Sequence, residues 1–149
     1  MKRIPLRVKT LPGFRGEPPR YETSGSSGFD VRAQLETVIT LRPGERKLIP
    51  TGLAFEIPAG FELQARPRSG MAIREGLGLV NSPGTIDSDY RGEVKIIVIN
   101  LGQADILIKD QDRIAQLVLA PVLQADLILT GDLSDSARGA GGFGSTGRS

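Results

Sequence analysis

Apolar and polar residues alternate in short segments along most of the chain, as they do in β-strands with one buried face. The alternation is clearest in residues 2–9 and 61–65. Pro-Gly and similar turn signals separate segments that recur about every ten residues, which predicts an all-β sandwich or barrel. Only residues 69–75 are predicted as a helix. The predicted strands cover residues 2–9, 29–33, 38–41, 46–49, 53–57, 61–65, 93–101, 104–108, 113–119 and 123–129.

The late strands carry more apolar side chains than one buried face requires. Residues 93–101 are nearly continuously apolar, which predicts a strand buried on both faces. Burial inside the subunit and burial in a subunit interface explain these apolar runs equally well. Both interpretations stay open at this point.

Residues 78–99 hold the densest group of candidate functional side chains. Residues 81–84, Asn-Ser-Pro-Gly, are a turn signal with short extended segments before and after it, so the sequence predicts a hairpin. Asp87 directly follows the second extended segment, where a carboxylate is held rigidly and stays near water. Taken alone, Asp87 and Asp89 are more typical of a solvated, charged turn.

Residues 131–149 differ in composition from residues 1–130, which we interpret as the folded domain. They are rich in Gly and Ser and cannot bury enough surface to fold alone. A disordered end is the simple interpretation. However, Arg138 and residues 139–147 supply a guanidinium, backbone N–H groups, hydroxyls and an aromatic ring, which are groups that bind nucleotides. We therefore predict a flexible Gly-rich C-terminal arm that closes over an active site.

Composition narrows the chemistry of this 149-residue chain, whose length fits one domain. It contains no Cys and no His, so thiolates and imidazoles are excluded and acid–base work falls to carboxylates, which favour a hard ion such as Mg²⁺. The net charge is +2 without a basic stripe, so no nucleic-acid partner is expected. No apolar run suits a signal peptide or a membrane span, so we expect a cytoplasmic protein without a membrane partner.

Three polar groups outside residues 78–99 are further candidates. Arg68 and Ser69 stand at the start of the predicted helix, where free N–H groups favour an anion, although a capped surface helix fits equally well. Asp30 follows a Gly-Phe pair at the start of a strand and, alone, is more typical of a turn. Gln116 places an amide in an apolar strand, and satisfaction by the backbone is its simpler interpretation.

Taken together and in order, these segments resemble the motifs of a known family. Five segments are similar, in order and spacing, to the five motifs of the trimeric deoxyuridine triphosphate nucleotidohydrolases (dUTPases). They are SGFD at 27–30, RPRSG at 66–70, GTIDSDYRGE at 84–93, DRIAQL at 112–117 and RGAGGFGSTG at 138–147. The resemblance extends over nearly the whole chain. It departs at Ser27, where Ala is frequent, at Val31 and Met71, where Leu is usual, and at Gln111, where Gly is usual. Only Gln111 bears on backbone geometry.

The resemblance implies a distorted β-barrel close to a jelly roll, assembled as a homotrimer with active sites between subunits. It implies hydrolysis of dUTP to dUMP and pyrophosphate, which lowers dUTP and supplies dUMP for thymidylate synthesis. By resemblance, Asp87 positions and deprotonates the water that attacks the α-phosphorus, and Asp30 holds a water of the Mg²⁺ that bridges the phosphates. Orientation and electrostatic stabilisation are expected to supply most of the acceleration, because a carboxylate is a weak base.

The resemblance also implies the substrate contacts. The hairpin backbone reads uracil and leaves no room for the 5-methyl group of thymine, Tyr90 excludes a 2′-hydroxyl, and Phe143 covers the base. The implied phosphate-binding residues are Arg68, Ser69, Gly70, Gln116, Arg138, Gly144, Ser145 and Thr146. The implied uracil and deoxyribose residues are Asn81, Gly84, Thr85, Ile86, Asp87, Tyr90, Phe143 and, on the return strand, Lys95. Asp89, Arg91 and Glu93 are assigned to the support of the hairpin.

Two other functions compete with this interpretation. A dCTP deaminase, or a bifunctional deaminase and dUTPase, shares the fold and the triphosphate site. A non-catalytic nucleotide-binding trimer retains the fold alone. The complete fifth motif with Phe143 favours the hydrolase, and no catalytic position of the family pattern is missing.

Overall fold

The structure is a computed structural model that describes residues 3–142 of the chain. Nearly all regular structure in this part is β, and the single helix lies where the sequence predicts it. The elements are Arg7–Thr10 (β1), Phe29–Arg32 (β2), Ile39–Leu41 (β3), Arg46–Pro50 (β4), Leu53–Glu56 (β5), Phe61–Arg66 (β6), Ser69–Glu75 (α1), Leu77–Leu79 (β7), Gly84–Ile86 (β8), Lys95–Asn100 (β9), Ile106–Ile108 (β10) and Arg113–Pro121 (β11).

The strands form a jelly-roll-like β fold built from antiparallel ladders. One sheet has the order β2-β11-β6-β8 and another has the order β4-β9-β7, while β1 pairs with β5 and β10 pairs with β3. The inward side chains of both larger sheets form one core, in which Leu63, Val98 and Leu117 are completely buried. Burial of a Leu or Val side chain contributes about 1.5–3 kcal/mol. Within residues 3–142 the ladders do not join into one closed barrel.

The predicted hairpin around residues 81–84 is wrong. β7 pairs with β9 and β8 pairs with β6, so the strands on either side of the turn belong to different sheets. The expected return strand at Lys95 is part of β9, and β9 forms its ladders with β4 and β7. A turn signal specifies that the chain reverses but not which strands pair, and here the turn carries the chain from one sheet to the other.

Three further predictions about strands are wrong. β9 is buried on one face only, because Ile97 and Ile99 are half-buried. Residues 123–129 form no strand and are exposed, since no sheet edge of the described chain pairs with them. The first predicted strand shortens to β1, whose four residues are all exposed.

The turn before β11 explains the departure at Gln111. Gln111 adopts a φ of 68°, a left-handed conformation that glycine adopts at little cost, which accounts for Gly being usual there. Its backbone N–H donates to the carbonyl of Ala33, and its carbonyl accepts from Arg32. The prediction that Gln111 bears on backbone geometry is therefore confirmed.

Among residues 3–142 the single helix, α1, is too short to cross a membrane.

Candidate active site

Asp87 lies at the end of β8, where the chain leaves the four-stranded sheet. Leu63 pairs with Ile86 and Ala65 pairs with Gly84, so β8 forms the outer edge of that sheet beside β6. The N–H of Tyr90 donates to the carbonyl of Asp87 at 3.2 Å and closes a turn. Asp87 is exposed, so its carboxylate remains accessible to water.

A cleft of about 440 Å³ opens beside Asp87, between β8 and the first half of β9. A volume of this order suits a small ligand. Because β8 is an edge strand, backbone N–H and C=O groups on its free side can pair with a ligand. The lining residues are Leu48, Thr85, Ile86, Asp87, Tyr90, Glu93, Val94, Lys95 and Ile97. Instead of forming the predicted hairpin, β8 and β9 border this cleft.

Most residues predicted for the base and sugar line this cleft, with three exceptions. Asn81 and Gly84 do not line the cleft but lie close to each other: a Cβ atom on Gly84 would be 2.9 Å from the Asn81 amide nitrogen. Phe143 lies outside the described residues. The apolar lining from Leu48, Val94 and Ile97 was not predicted as part of a site, because apolar residues on a strand are ordinarily assigned to the core.

A second polar cluster forms around Asp30, where β2, β11 and the start of α1 meet. Oδ1 of Asp30 accepts from Nε of Arg68 at 3.0 Å, and Oδ2 accepts from Nη1 of Arg113 at 3.3 Å. Nη1 of Arg68 also donates to the carbonyl of Arg113 at 3.3 Å. Arg113 was not predicted as a site residue, although it stands within the fourth motif. Two of the three nitrogens of the Arg68 guanidinium are therefore fixed by the protein.

Gln116 joins this cluster to the segment before α1. Its amide nitrogen donates to the carbonyl of Pro67 at 2.9 Å, so its simpler interpretation, an amide satisfied by the backbone, describes this contact. Ser69 and Gly70 begin α1 after Arg68, the N-cap residue, and Ser69 is exposed. A phosphate contact for these residues stays a prediction.

Asp87 and Arg68 lie towards opposite ends of the β6–β8 pair. Since β8 runs antiparallel to β6, Asp87 follows the register position opposite Leu63, next to Glu62, whereas Arg68 lies beyond Arg66 at the other end of β6. The four residue-to-residue steps from Glu62 to Arg66 span roughly 13 Å of strand. No residue of the Asp30 cluster lines the Asp87 cleft within the described chain. Within one chain the Asp87 cleft and the Asp30 cluster are thus separated in space, and we call them the two half-sites.

Residues 122–142 extend from the end of β11, and nearly all of them are exposed. Nε of Arg138 donates to the carbonyl of Gly141 at 2.7 Å, which closes a local turn. Arg138 is the predicted phosphate contact of this segment. Gly144, Ser145 and Thr146 lie outside the described residues.

The family model described as dUTPase matches residues 15–147 of this sequence. The chain belongs to the dUTPase family. A deoxyuridine 5′-triphosphate nucleotidohydrolase from Bdellovibrio bacteriovorus is 62% identical to it over 148 residues, which cover 99% of each chain. The enzyme of that name from an Anaeromyxobacter species is 58% identical over 149 residues, 97% of this chain and 100% of the relative.

Solved dUTPases share this fold. The Staphylococcus bacteriophage 80alpha dUTPase, solved with dUPNHPP, gives a TM-score of 0.85 at 26% identity, covering 97% of this chain and 99% of the phage chain. A dUTPase variant from phage phi11 of S. aureus, whose structure includes a structural Mg(II) ion, gives a TM-score of 0.77 at 22% identity, over 87% of this chain and 98% of that one. The first comparison extends over nearly the whole of this dUTPase-family chain.

Among the described residues, Asp30 is the candidate for a contact with a magnesium ion. Among residues 3–142, no three carboxylate or imidazole side chains come together as metal ligands. Both oxygens of Asp30 accept N–H groups, yet a carboxylate oxygen that accepts one hydrogen bond retains a further lone pair. Asp30 therefore fits an ion carried by substrate phosphates and contacted through water, which is a common arrangement for Mg²⁺.

Proposed function

We propose that this protein hydrolyses dUTP to dUMP and pyrophosphate, as its family and its nucleotidohydrolase relatives indicate. The observation that carries the proposal is the exposed Asp87 carboxylate at the end of an edge strand that borders a nucleoside-sized cleft. The reaction lowers dUTP and supplies dUMP for thymidylate synthesis. We expect it to take place in the cytoplasm, where deoxynucleotides are made.

Asp87 acts on the attacking water. Its carboxylate orients a water molecule and accepts a proton as the water oxygen bonds to the α-phosphorus, and the bond from that phosphorus to the bridging oxygen breaks to release pyrophosphate. A carboxylate is a weak base, so orientation and electrostatic stabilisation supply most of the rate enhancement. The exposed turn after β8 keeps Asp87 accessible to the water it must hold.

The free edge of β8 supports the recognition of uracil. Backbone donors and acceptors at residues 84–87 imitate a pairing base, and Lys95 lies across the cleft from them. An edge strand suits this role, because its unpaired groups are fixed in position by the ladder on its other side. Phe143 from an arm covers the base.

Arg68, Ser69, Gly70 and Gln116 bind the phosphates, together with the arm residues Arg138, Gly144, Ser145 and Thr146. Arg68 suits a phosphate contact because Asp30 and the Arg113 carbonyl fix two of its nitrogens and thereby orient the third. Asp30 would hold a water of a bound Mg²⁺, and the ion would supply neutralisation of part of the phosphate charge.

A homotrimer brings the two half-sites together. We infer this from the separation of Asp87 and Arg68 along the β6–β8 pair of one chain, and we expect one subunit to supply the cleft and another to supply the Asp30 cluster. Exposed apolar side chains support assembly: Leu123 is 98% exposed and Leu129 is 100% exposed in the single chain. The arm of a further subunit then closes over the site.

The decisive experiment is pyrophosphate release from dUTP, dTTP, dCTP and UTP, with and without Mg²⁺. We expect rapid release from dUTP alone, and a strong loss of rate without Mg²⁺. Ammonia release from dCTP at a comparable rate would instead assign the chain to the deaminases. Binding of dUPNHPP without turnover of dUTP would identify a non-catalytic nucleotide-binding trimer.

A further inference from the structure

Tyr90 is held in place within its own turn. Its hydroxyl donates to the carbonyl of Glu93 at 2.9 Å, so the side chain folds back across residues 91–93. Tyr90 is 46% exposed and lines the cleft beside Asp87. A partly exposed tyrosine ordinarily samples several rotamers, and this hydrogen bond selects one of them.

The carbonyl that receives this hydrogen bond is itself anchored. Oε1 of Glu93 accepts from the N–H of Gly52 at 2.9 Å, and Oε2 lies 3.5 Å from Nζ of Lys95. The next residue, Val94, donates its N–H to the carbonyl of Leu53 at 2.8 Å. Its carbonyl accepts from the hydroxyl of Thr51, which is 1% exposed. Residues 93–94 are thus fixed to the start of β5, and they provide a rigid support for the Tyr90 hydroxyl.

Gly92 leaves the space that the Tyr90 side chain occupies. A Cβ atom on Gly92 would lie 2.5 Å from the Tyr90 hydroxyl oxygen and 2.7 Å from Cζ of the ring, closer than nonbonded atoms approach. The φ of Gly92 is not left-handed, so the requirement for glycine comes from this contact and not from the backbone. An alanine would therefore displace the Tyr90 ring, which can swing outward, rather than distort the turn.

We propose that Gly92 and the Glu93 carbonyl are positioning elements for sugar specificity: they set the place of Tyr90 in the cleft and thereby the discrimination between dUTP and UTP. The proposal rests on the proposed function, because it concerns the nucleotide that the Asp87 cleft binds. A 2′-hydroxyl is rejected only by a ring held at a fixed place, since a ring free to move can yield to the additional oxygen.

The test is the ratio of kcat/KM for dUTP to kcat/KM for UTP in the full-length Gly92→Ala variant. We expect this ratio to fall by about tenfold or more, mainly through a higher KM for dUTP and better acceptance of UTP. Gly25→Ala is the matched control, because a Cβ atom there meets no atom within 4 Å and its φ is not left-handed. An unchanged ratio in folded Gly92→Ala, or an equal fall in Gly25→Ala, overturns the proposal.

If Gly92→Ala does not fold, as judged by its thermal melt, Tyr90→Phe decides the matter. This variant keeps the ring and removes its hydrogen bond to the Glu93 carbonyl, so a lower ratio supports the proposal and an unchanged ratio overturns it. The activity of the wild-type protein distinguishes a failure of the proposed function from a failure of the role assigned to Gly92. If it releases no pyrophosphate from dUTP, the proposed function fails, whereas an active wild type with an unaltered ratio in the variants refutes only the role of Gly92.

Discussion

At the scale of one residue, the contacts of the Arg68 side chain suit the proposed phosphate contact. Asp30 holds Nε and the Arg113 carbonyl holds Nη1, while within residues 3–142 the third nitrogen, Nη2, has no hydrogen-bond partner. The Arg68 side chain is 25% exposed, so part of it is reachable from solvent. A planar guanidinium can make all these contacts at once, whereas a lysine ammonium cannot reproduce the fork.

Arg68→Lys is therefore expected to lower kcat/KM for dUTP by about 10- to 100-fold with little effect on stability. The measurement is steady-state pyrophosphate release together with the thermal melt. Arg66→Lys is the control, because Arg66 is exposed and its side chain bonds only to the neighbouring Gln64 within the described chain. A wild-type kcat/KM in Arg68→Lys would remove Arg68 from the phosphate site.

At the scale of elements, an ion pair between Arg15 and Asp110 connects the loop before β2 to the turn before β11. Arg15 donates from Nε to Oδ2 of Asp110 and from Nη2 to Oδ1, each at 3.1 Å, and the N–H of Leu35 donates to Oδ1 at 2.8 Å. The Arg15 guanidinium and the Leu35 N–H lower the pKa of Asp110 to about 2. Because the pKa is lower in the folded state, the ion pair stabilises the fold above the unfolded-state pKa of about 4 and is lost as the pH falls towards 2.

Asp110→Asn should accordingly destabilise the protein at pH 7, and the difference from wild type should shrink between pH 4 and pH 2. Urea unfolding at a series of pH values measures this difference in the free energy of unfolding. Since both side chains are about one-third exposed or more, we expect a modest effect, about 1 kcal/mol at pH 7. Asp105→Asn serves as the control, because Asp105 is exposed and forms no ion pair within the described chain. A difference that stays constant down to pH 2 would contradict this assignment.

For the whole molecule, the proposed trimer predicts that assembly is a condition of catalysis, because the two half-sites are separated within one chain. Asp87→Asn and Arg68→Ala proteins should each be nearly inactive. When they are unfolded and refolded together, roughly a quarter of the sites should combine an intact Asp87 from one subunit with an intact Arg68 from another. Pyrophosphate release then measures the recovery.

The matched control for this mixing experiment pairs Asp87→Asn with Asp87→Ala. Both variants damage the same half-site, so their mixture should remain inactive. Failure of the Asp87→Asn and Arg68→Ala mixture to recover activity, with the trimer verified by light scattering, would mean that one chain builds its own site.

The arm gives a second prediction for the assembled protein. Deletion of residues 139–149 should reduce the turnover of dUTP by about 100-fold, because an open site exposes the phosphates to water and loses the arm contacts. The melting temperature and the molar mass by light scattering should not change, since residues 122–141 are exposed and outside the core. An unchanged rate would instead support the simple interpretation that this segment is a disordered end.

The sequence alone predicted most of what depends on local chemistry. Most strand positions, the helix at residues 69–75 and the place of Asp87 at a strand end follow from periodicity and from residue types that tolerate turns. The family follows from the order and spacing of its motifs, and the comparison with known sequences confirms it. Neither periodicity nor a turn signal specifies which strands pair, so the sequence predicted a hairpin where the chain changes sheets.

Only the tertiary structure decided which residues meet. It brought Asp30 to Arg68 and Arg113 across 38 and 83 positions of sequence. It also placed the Tyr90 side chain where a Cβ atom of residue 92 would lie, a contact that the sequence motif does not reveal. It also showed that the cleft of residues 78–99, the most informative stretch of the sequence, contains none of the Asp30 cluster. The physical reason is that pairing and packing depend on long-range burial and complementary shape, which short segments of sequence do not determine.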